Sequence, residues 1–305
     1  MSSSLQRMLI TCLAFSFLVF LPTGPCFGAS TAYIPDFDNS IVSVINTSTN
    51  SVINSVAVSA SPMGVAVSSD GQRVYVASLA SGDISVIDTF SNRVITKFSV
   101  SGSVNGLVLN PLGNRLYVTE KDGGTVRILD TASGTVLSSV TVMSNPHALA
   151  VSPDGSKVFV SNKGSGTISV INTADNSTRT ISLGGTLGGL ALSPDGGRLY
   201  VTKSSANSVV VVNTANNGVV TMIPVGLSPQ HVAVSPSGGT LYVANSGADT
   251  VSVVNTATYA VTSVTVGAFP DGLSLTASGD HLYVLNSGSD SVSVVDTATQ
   301  SVSGT

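Results

Sequence analysis

Seven aromatic residues fall on one beat along this chain: Tyr33, Tyr75, Tyr117, Phe159, Tyr200, Tyr242 and Tyr283, spaced 42, 42, 42, 41, 42 and 41 residues apart. A period of this size means that one small unit is copied, and that each copy buries its apolar face against its neighbours. A second marker keeps the same interval: Asn46-Thr47, Asp88-Thr89, Asp130-Thr131, Asn172-Thr173, Asn213-Thr214, Asn255-Thr256 and Asp296-Thr297. Two independent markers at one spacing exclude coincidence.

Within a unit the pattern predicts four short strands, as in Val65 to Val67, Val74 to Ala77, Ile84 to Asp88 and Val94 to Val100, divided by turn residues. Four strands of about six residues with turns of about four sum to about 40. That is the arithmetic of a propeller blade, and almost no helix is expected in the mature domain. Composition agrees, with 42% hydrophobic and only 9% charged residues in a chain of 305. The turn after the first strand reads Ser152-Pro153-Asp154-Gly155 and Ser193-Pro194-Asp195-Gly196, where Pro sets φ and Gly accepts a left-handed backbone. The Asp/Asn-Thr pair suits an Asx-type turn. The sequence therefore predicts an all-β, seven-bladed propeller of four-stranded repeats.

The amino terminus has a different character. Arg7 precedes an apolar run from Met8 to Leu21, then Pro22-Thr23-Gly24-Pro25 and small residues around Cys26 to Ala29. This is the layout of a secretory signal peptide, and the run is short for a membrane span. Cleavage after Gly28 would give a leader of residues 1–28 and one propeller domain of residues 29–305, exported to a periplasm, a cell surface or the medium. Pro25 before Cys26 argues against lipoprotein processing. Both cysteines, Cys12 and Cys26, lie in the leader, so the mature domain would hold no disulfide or thiolate metal site. Without Arg7, 11 basic residues face 16 acidic ones. A net charge of minus five without basic blocks gives no footprint for nucleic acid.

The segment Leu241-Tyr242-Val243-Ala244-Asn245, preceded by Ser235-Pro236 and followed by Val251-Ser252-Val253-Val254-Asn255-Thr256, resembles the YVTN-family β-propeller repeat. The resemblance runs from Tyr33 to Thr305 and takes in exported and surface-layer proteins. It implies that the innermost strands follow Pro62, Val104, Pro146, Leu187, Pro229 and Pro270, with Val65-Ala66-Val67, Leu149-Ala150-Val151 and Val232-Ala233-Val234 in the core. Only six such strands exist for seven aromatic-marked ones, so the first blade is expected to lack its innermost strand. In closed relatives that strand would arrive from the C-terminus. An incomplete blade leaves unpaired backbone groups that invite dimerisation or a donated strand.

Recognisable catalytic signatures are missing: no Cys-x-x-Cys-His, His-Glu-x-x-His, Walker loop or Gly-x-Ser-x-Gly stands in the chain. Gly184-Gly185-Thr186-Leu187-Gly188-Gly189 has the look of a phosphate loop, but it falls between blades with no helix after it, so a structural role is expected. The repeats differ most just before each inner strand, where Met63, Asn105, His147, Gly188, Gln230 and Asp271 align. In a propeller these positions ring the mouth of the central channel. His147 and His231 are the imidazoles there, open to metal or acid-base chemistry, whereas His281 aligns with Arg73, Arg115, Lys157 and Arg198 at the far side. The loops between second and third strands add Asp36, Asp38, Glu120, Asp122, Lys163, Lys203, Asp249 and Asp290 to the mouth face. Glu120 and Asp122 are a candidate cation pair, although Lys121 stands between them.

The expected function is a binding scaffold with no catalytic residues, no metal and no cofactor, presenting its mouth to a protein or glycan partner through Met63, Asn105, His147, Gln230, His231, Asp271 and Glu120. Two alternatives stand beside it. A lactonase-like hydrolase would need His147, Glu120 and Asp271 in one tight cluster. A periplasmic redox partner would lack the usual haem attachment motif.

Overall fold

The computed structural model describes Val19–Phe20 and residues 31–305. The remaining leader residues and the expected cleavage site after Gly28 lie outside the described residues. Seven antiparallel sheets follow one another along the chain, each running in sequence order from inner to outer strand. Blade 4 is representative, with strands Pro146–Val151, Lys157–Asn162, Thr167–Asn172 and Thr178–Ser182. The first blade has three full strands, Thr31–Asp36, Ile41–Asn46 and Ser51–Ala57, as the uneven count predicts. Along its inner edge, among the described residues, Val19–Phe20 pair opposite Tyr33 and Ala32. The last strand, Ser301–Gly304, is the outer strand of blade 7, so the C-terminal residues do not supply that edge. Among the described residues the one helical turn is Ser204–Ala206.

The aromatic beat has a packing reason. Tyr33, Tyr75, Tyr117, Phe159, Tyr200, Tyr242 and Tyr283 are each less than 5% exposed, and each belongs to a separate apolar cluster joining its own blade to the next. Between blades 2 and 3, for example, Tyr75, Ile84 and Phe98 meet Leu107, Leu116 and Leu129. Each buried side chain of this kind contributes about 1.5–3 kcal/mol, and none can be buried by a lone blade. Among the described residues, the cluster at the junction of blades 7 and 1 holds Ala32, Ile45, Tyr283 and Val294. Of the inner-strand residues expected in the core, Val65, Leu149 and Val232 are buried. Ala66, Ala150 and Ala233 are half-buried and pack on the edges of these clusters.

In blades 2 to 7 the second marker clamps the blade's far end. Thr89, Thr131, Thr173, Thr214, Thr256 and Thr297 donate through Oγ1 to the carbonyl oxygens of Gly71, Gly113, Gly155, Gly196, Gly238 and Gly279 at 2.6–2.8 Å. The receiving glycines all have φ between 70° and 76°, where a side chain would be strained. The residue before each Thr caps its own turn, as when Asn172 Oδ1 accepts from the Ala174 N–H at 3.0 Å. The two turns at this end of the blade are therefore stitched together by side chains already conspicuous in the sequence.

Candidate functional site

At the opposite end of each blade the inner strand is irregular. Its first residue pairs with the last residue of the second strand, as in Pro146 with Asn162, and the register then shifts before Leu149 pairs with Val160. The same break recurs in blades 2, 3, 5, 6 and 7. A bulge of this kind re-aims side chains and commonly sits beside a binding site. The residues inside it are the divergent ones: Met63, Asn105, His147, Gly188, Gln230 and Asp271.

These positions are buried. Met63 and Asn105 are 4% exposed, His147 and Asp271 5%, and Gln230 and His231 8%. Asn105 donates from Nδ2 to His147 Nδ1 at 2.8 Å, across the boundary of blades 3 and 4. An amide nitrogen can only donate, so Nδ1 of His147 is the acceptor and its proton sits on Nε2. Burial, followed by the nearby Lys163, His231 and Lys121, pushes the His147 pKa down to about 3. Burial alone takes His231 down to about 4. Both imidazoles are neutral at physiological pH. Gln230 is held by the Ser228 carbonyl at 3.3 Å and the Ser246 hydroxyl at 3.4 Å.

Asp271 behaves in the opposite sense. Burial drives its pKa up to about 7, opposed by hydrogen bonds from Ser287 and from the backbone of Asp271 and Gly272. Its Oδ1 is buried with no hydrogen-bond partner. A carboxyl group poised near neutrality is a proton donor and acceptor in reserve.

Close approach between blades explains the small residues here. A Cβ on Gly106 would lie 2.3 Å from the His147 carbonyl oxygen, and one on Gly64 2.5 Å from that of Asn105. Gly188 and Gly189 serve blade 6: a Cβ on Gly188 would sit 2.6 Å from the Gln230 carbonyl oxygen, and one on Gly189 3.0 Å from the His231 Cα. The glycine-rich segment of residues 184–189 thus clears space for the next blade, with the strand Leu187–Leu192 following it, in keeping with its expected structural role. The bulge is also pinned by hydroxyls the sequence does not advertise. Thr119 accepts from the Gly106 N–H at 2.8 Å and lies 3.2 Å from the His147 carbonyl oxygen, to which it donates. Thr202 donates to the Gln230 carbonyl oxygen at 2.8 Å. Only their alignment with Ser161 at the same strand position hints at the role.

The expected cluster of His147, Glu120 and Asp271 is not assembled. Glu120 is held by Arg127 at 2.9 Å and by Thr125 at 2.7 Å, and Asp271 stands three blades away from His147 around the ring. Among the described residues no three His, Cys, Asp or Glu side chains converge as metal ligands. Glu120 is committed to Arg127, and Asp122 bonds to Ser103. His281 sits at the far end of its blade beside Asp280, at 3.2 Å, apart from the two mouth histidines.

The charged loops around the mouth are unevenly divided. Lys163 and Lys203 stand on blades 4 and 5, Lys121 stands between Glu120 and Asp122 on blade 3, and Asp249, Asp290, Asp36, Asp38 and Asp83 stand on blades 6, 7, 1 and 2. Burial, with Lys121 nearby, lowers the Lys163 pKa. Lys203 donates to the Leu183 carbonyl oxygen at 2.8 Å.

Comparison with known proteins follows the same lines. The family described as "Lactonase, 7-bladed beta-propeller" matches residues 178–259 and 228–303, the last strand of blade 4 through blade 7. No curated protein matches the sequence. Among solved structures, the chain is similar to hydrazine synthase from Kuenenia stuttgartiensis, with a TM-score of 0.82, 23% identity, and 97% of this chain and 99% of that one covered. It is also similar to a functionally unknown protein from Desulfotomaculum acetoxidans DSM 771, with a TM-score of 0.79, 17% identity, and coverage of 90% and 94%. At these identities the likeness is one of fold. Repeat, blade packing and comparisons agree that this chain is a β-propeller protein of seven blades.

Proposed function

We propose that this chain is an exported, YVTN-type propeller that acts as a binding module and receives a protein partner on its mouth face. The observation that carries the reading is the confinement of variation: blade-building positions stay uniform while the bulge residues Met63, Asn105, His147, Gln230, His231 and Asp271 diverge. Positions that only pack have no reason to alternate among thioether, amide, imidazole and carboxyl. Of the two partner classes the sequence admits, the charged rim favours a protein over a neutral glycan. Carboxylates predominate around it, with Lys163 and Lys203 as the cations of blades 4 and 5, and such a rim selects a surface of complementary charge and speeds its approach.

The test is affinity capture from the host envelope with the wild-type propeller and with a Lys121→Glu, Lys163→Glu, Lys203→Glu variant. A stoichiometric protein, released by salt and lost in the variant, supports the reading. Capture that ignores the substitutions, or of a glycan alone, overturns it.

A second reading, a lactonase-like hydrolase, is favoured by the family match over residues 178–303 and by Asp271 poised near neutrality. Turnover of a small lactone that is abolished by Asp271→Asn would establish it.

A further inference from the structure

The inner edge of the first blade holds the one strand position that the repeats themselves do not fill. Val19 pairs with Tyr33 and Phe20 with Ala32. That register is the one used in the other six blades, where the aromatic marker and the residue before it face the last two residues of the inner strand: Val108 with Tyr117 and Leu109 with Leu116, or Ala150 with Phe159 and Val151 with Val158. The backbone of the pair also lies beside the inner strands of blades 2 and 7, the neighbours of an inner strand.

The sequence around this pair follows the blade pattern too. Leu107-Val108-Leu109-Asn110-Pro111-Leu112-Gly113 in blade 3 has its counterpart in Leu18-Val19-Phe20-Leu21-Pro22-Thr23-Gly24. Proline stands two residues and glycine four residues after the strand's last position, as in Val151-Ser152-Pro153-Asp154-Gly155. One difference separates them. In sequence, Gly155 precedes the second strand of blade 4 by two steps, at Lys157, whereas Gly24 precedes Thr31 by seven. The added residues contain Gly28, after which cleavage is expected.

We propose that the amino-terminal segment around Val19–Phe20 is the inner strand of the first blade, supplied in cis. The apolar run then has two uses: it directs export, and in the folded chain it covers the backbone edge of Thr31–Asp36. Peptide-bond hydrolysis after Gly28 adds one water across the Gly28–Ala29 bond, leaving a new carboxylate and a new amine. It cuts the connection between inner and second strands without touching the paired residues. The segment then stays docked only through noncovalent contacts, and its departure opens an acceptor edge beside the channel.

The experiment is hydrogen exchange on the full-length, uncleaved chain, wild type against Val19→Pro, Phe20→Pro, since proline cannot donate to a strand ladder. Amides of Thr31–Asp36 that exchange about tenfold faster or more in the variant, with Arg115–Glu120 unchanged as an internal control of folding, support the proposal. Equal exchange in both proteins overturns it. A second measurement stands apart from folding of the proline variant: with Cys12 and Cys26 replaced by serine, Phe20→Cys and Ala32→Cys should crosslink within one chain on mild oxidation. Crosslinking only between chains, or none, overturns it as well.

Discussion

The Tyr283 hydroxyl donates to Asn50 Oδ1 at 2.8 Å, so the last blade is bonded to the turn between the second and third full strands of the first. The Tyr33 hydroxyl makes the same bond to Asn92, also at 2.8 Å, joining blade 1 to blade 2. At the 7–1 junction the bond joins residues 233 positions apart, tying together the blades most distant in sequence. Tyr283→Phe should lower stability by about 0.5–1.5 kcal/mol. Denaturant melts of Tyr283→Phe, Asn50→Ala and the double variant should show coupling between the two, and strictly additive losses would show that the bond contributes nothing.

The threonine clamps predict near-independent losses. Thr173→Val removes the donor to the Gly155 carbonyl oxygen and should cost about 1 kcal/mol. Thr256→Val does the same at Gly238, two blades away. Their combination should equal the sum within about 0.5 kcal/mol, as read from urea midpoints at constant m.

Gly106→Ala is expected to be the most damaging single methyl group in the mouth. Its Cβ would lie 2.3 Å from a backbone oxygen of the next blade, and backbone cannot turn aside as a flexible side chain would. Overpacking of this kind costs about 1–3 kcal/mol. Gly113→Ala makes a useful contrast, since no atom lies closer than 3.4 Å to its Cβ and only its φ of 70° opposes the change. Thermal melts should rank Gly106→Ala below Gly113→Ala.

Buried mouth groups give opposite pH dependences. Asp271, raised to about 7, holds its proton more tightly folded than unfolded. Its contribution is full below the ordinary carboxylate pKa near 4 and is lost as pH rises through about 7. His147 and His231, lowered to about 3 and 4, contribute above about 6.5 and lose that contribution as pH falls toward those values. Asp271→Asn should therefore remove the decline in urea midpoint between pH of about 4 and 7. His147→Gln should soften the acid-side decline instead. A midpoint curve for Asp271→Asn that parallels wild type would overturn the assignment.

The blades were legible in the sequence because every copy repeats the same packing demand. Tyr75 and its counterparts mark a contact, and Thr89 and its counterparts mark a hydrogen bond. The mouth ring was legible as divergence at Met63 through Asp271, but its physics was not. Nothing in one repeat reveals that a register shift buries Asp271, or that Thr119 and Thr202 reach carbonyls in a neighbouring blade. Those interactions join residues 28 positions apart, beyond any local pattern. The first blade was legible as an anomaly, three strands where four were due. The candidate for its fourth went unseen because an apolar run before small residues reads first as a leader, and the same residues satisfy both patterns.

The clamp from Thr173 to Gly155 and its five counterparts bears on how such a chain can change over time. Each of these six units carries its own fastening at the end opposite the bulge, between residues 18 positions apart. A gene segment encoding one unit can be copied and still yield a well-formed blade. Once copied, its bulge residue has to fit the neighbouring blade, as Asn105 fits His147. Diversification of the mouth and preservation of the ring are written into separate ends of the same repeat.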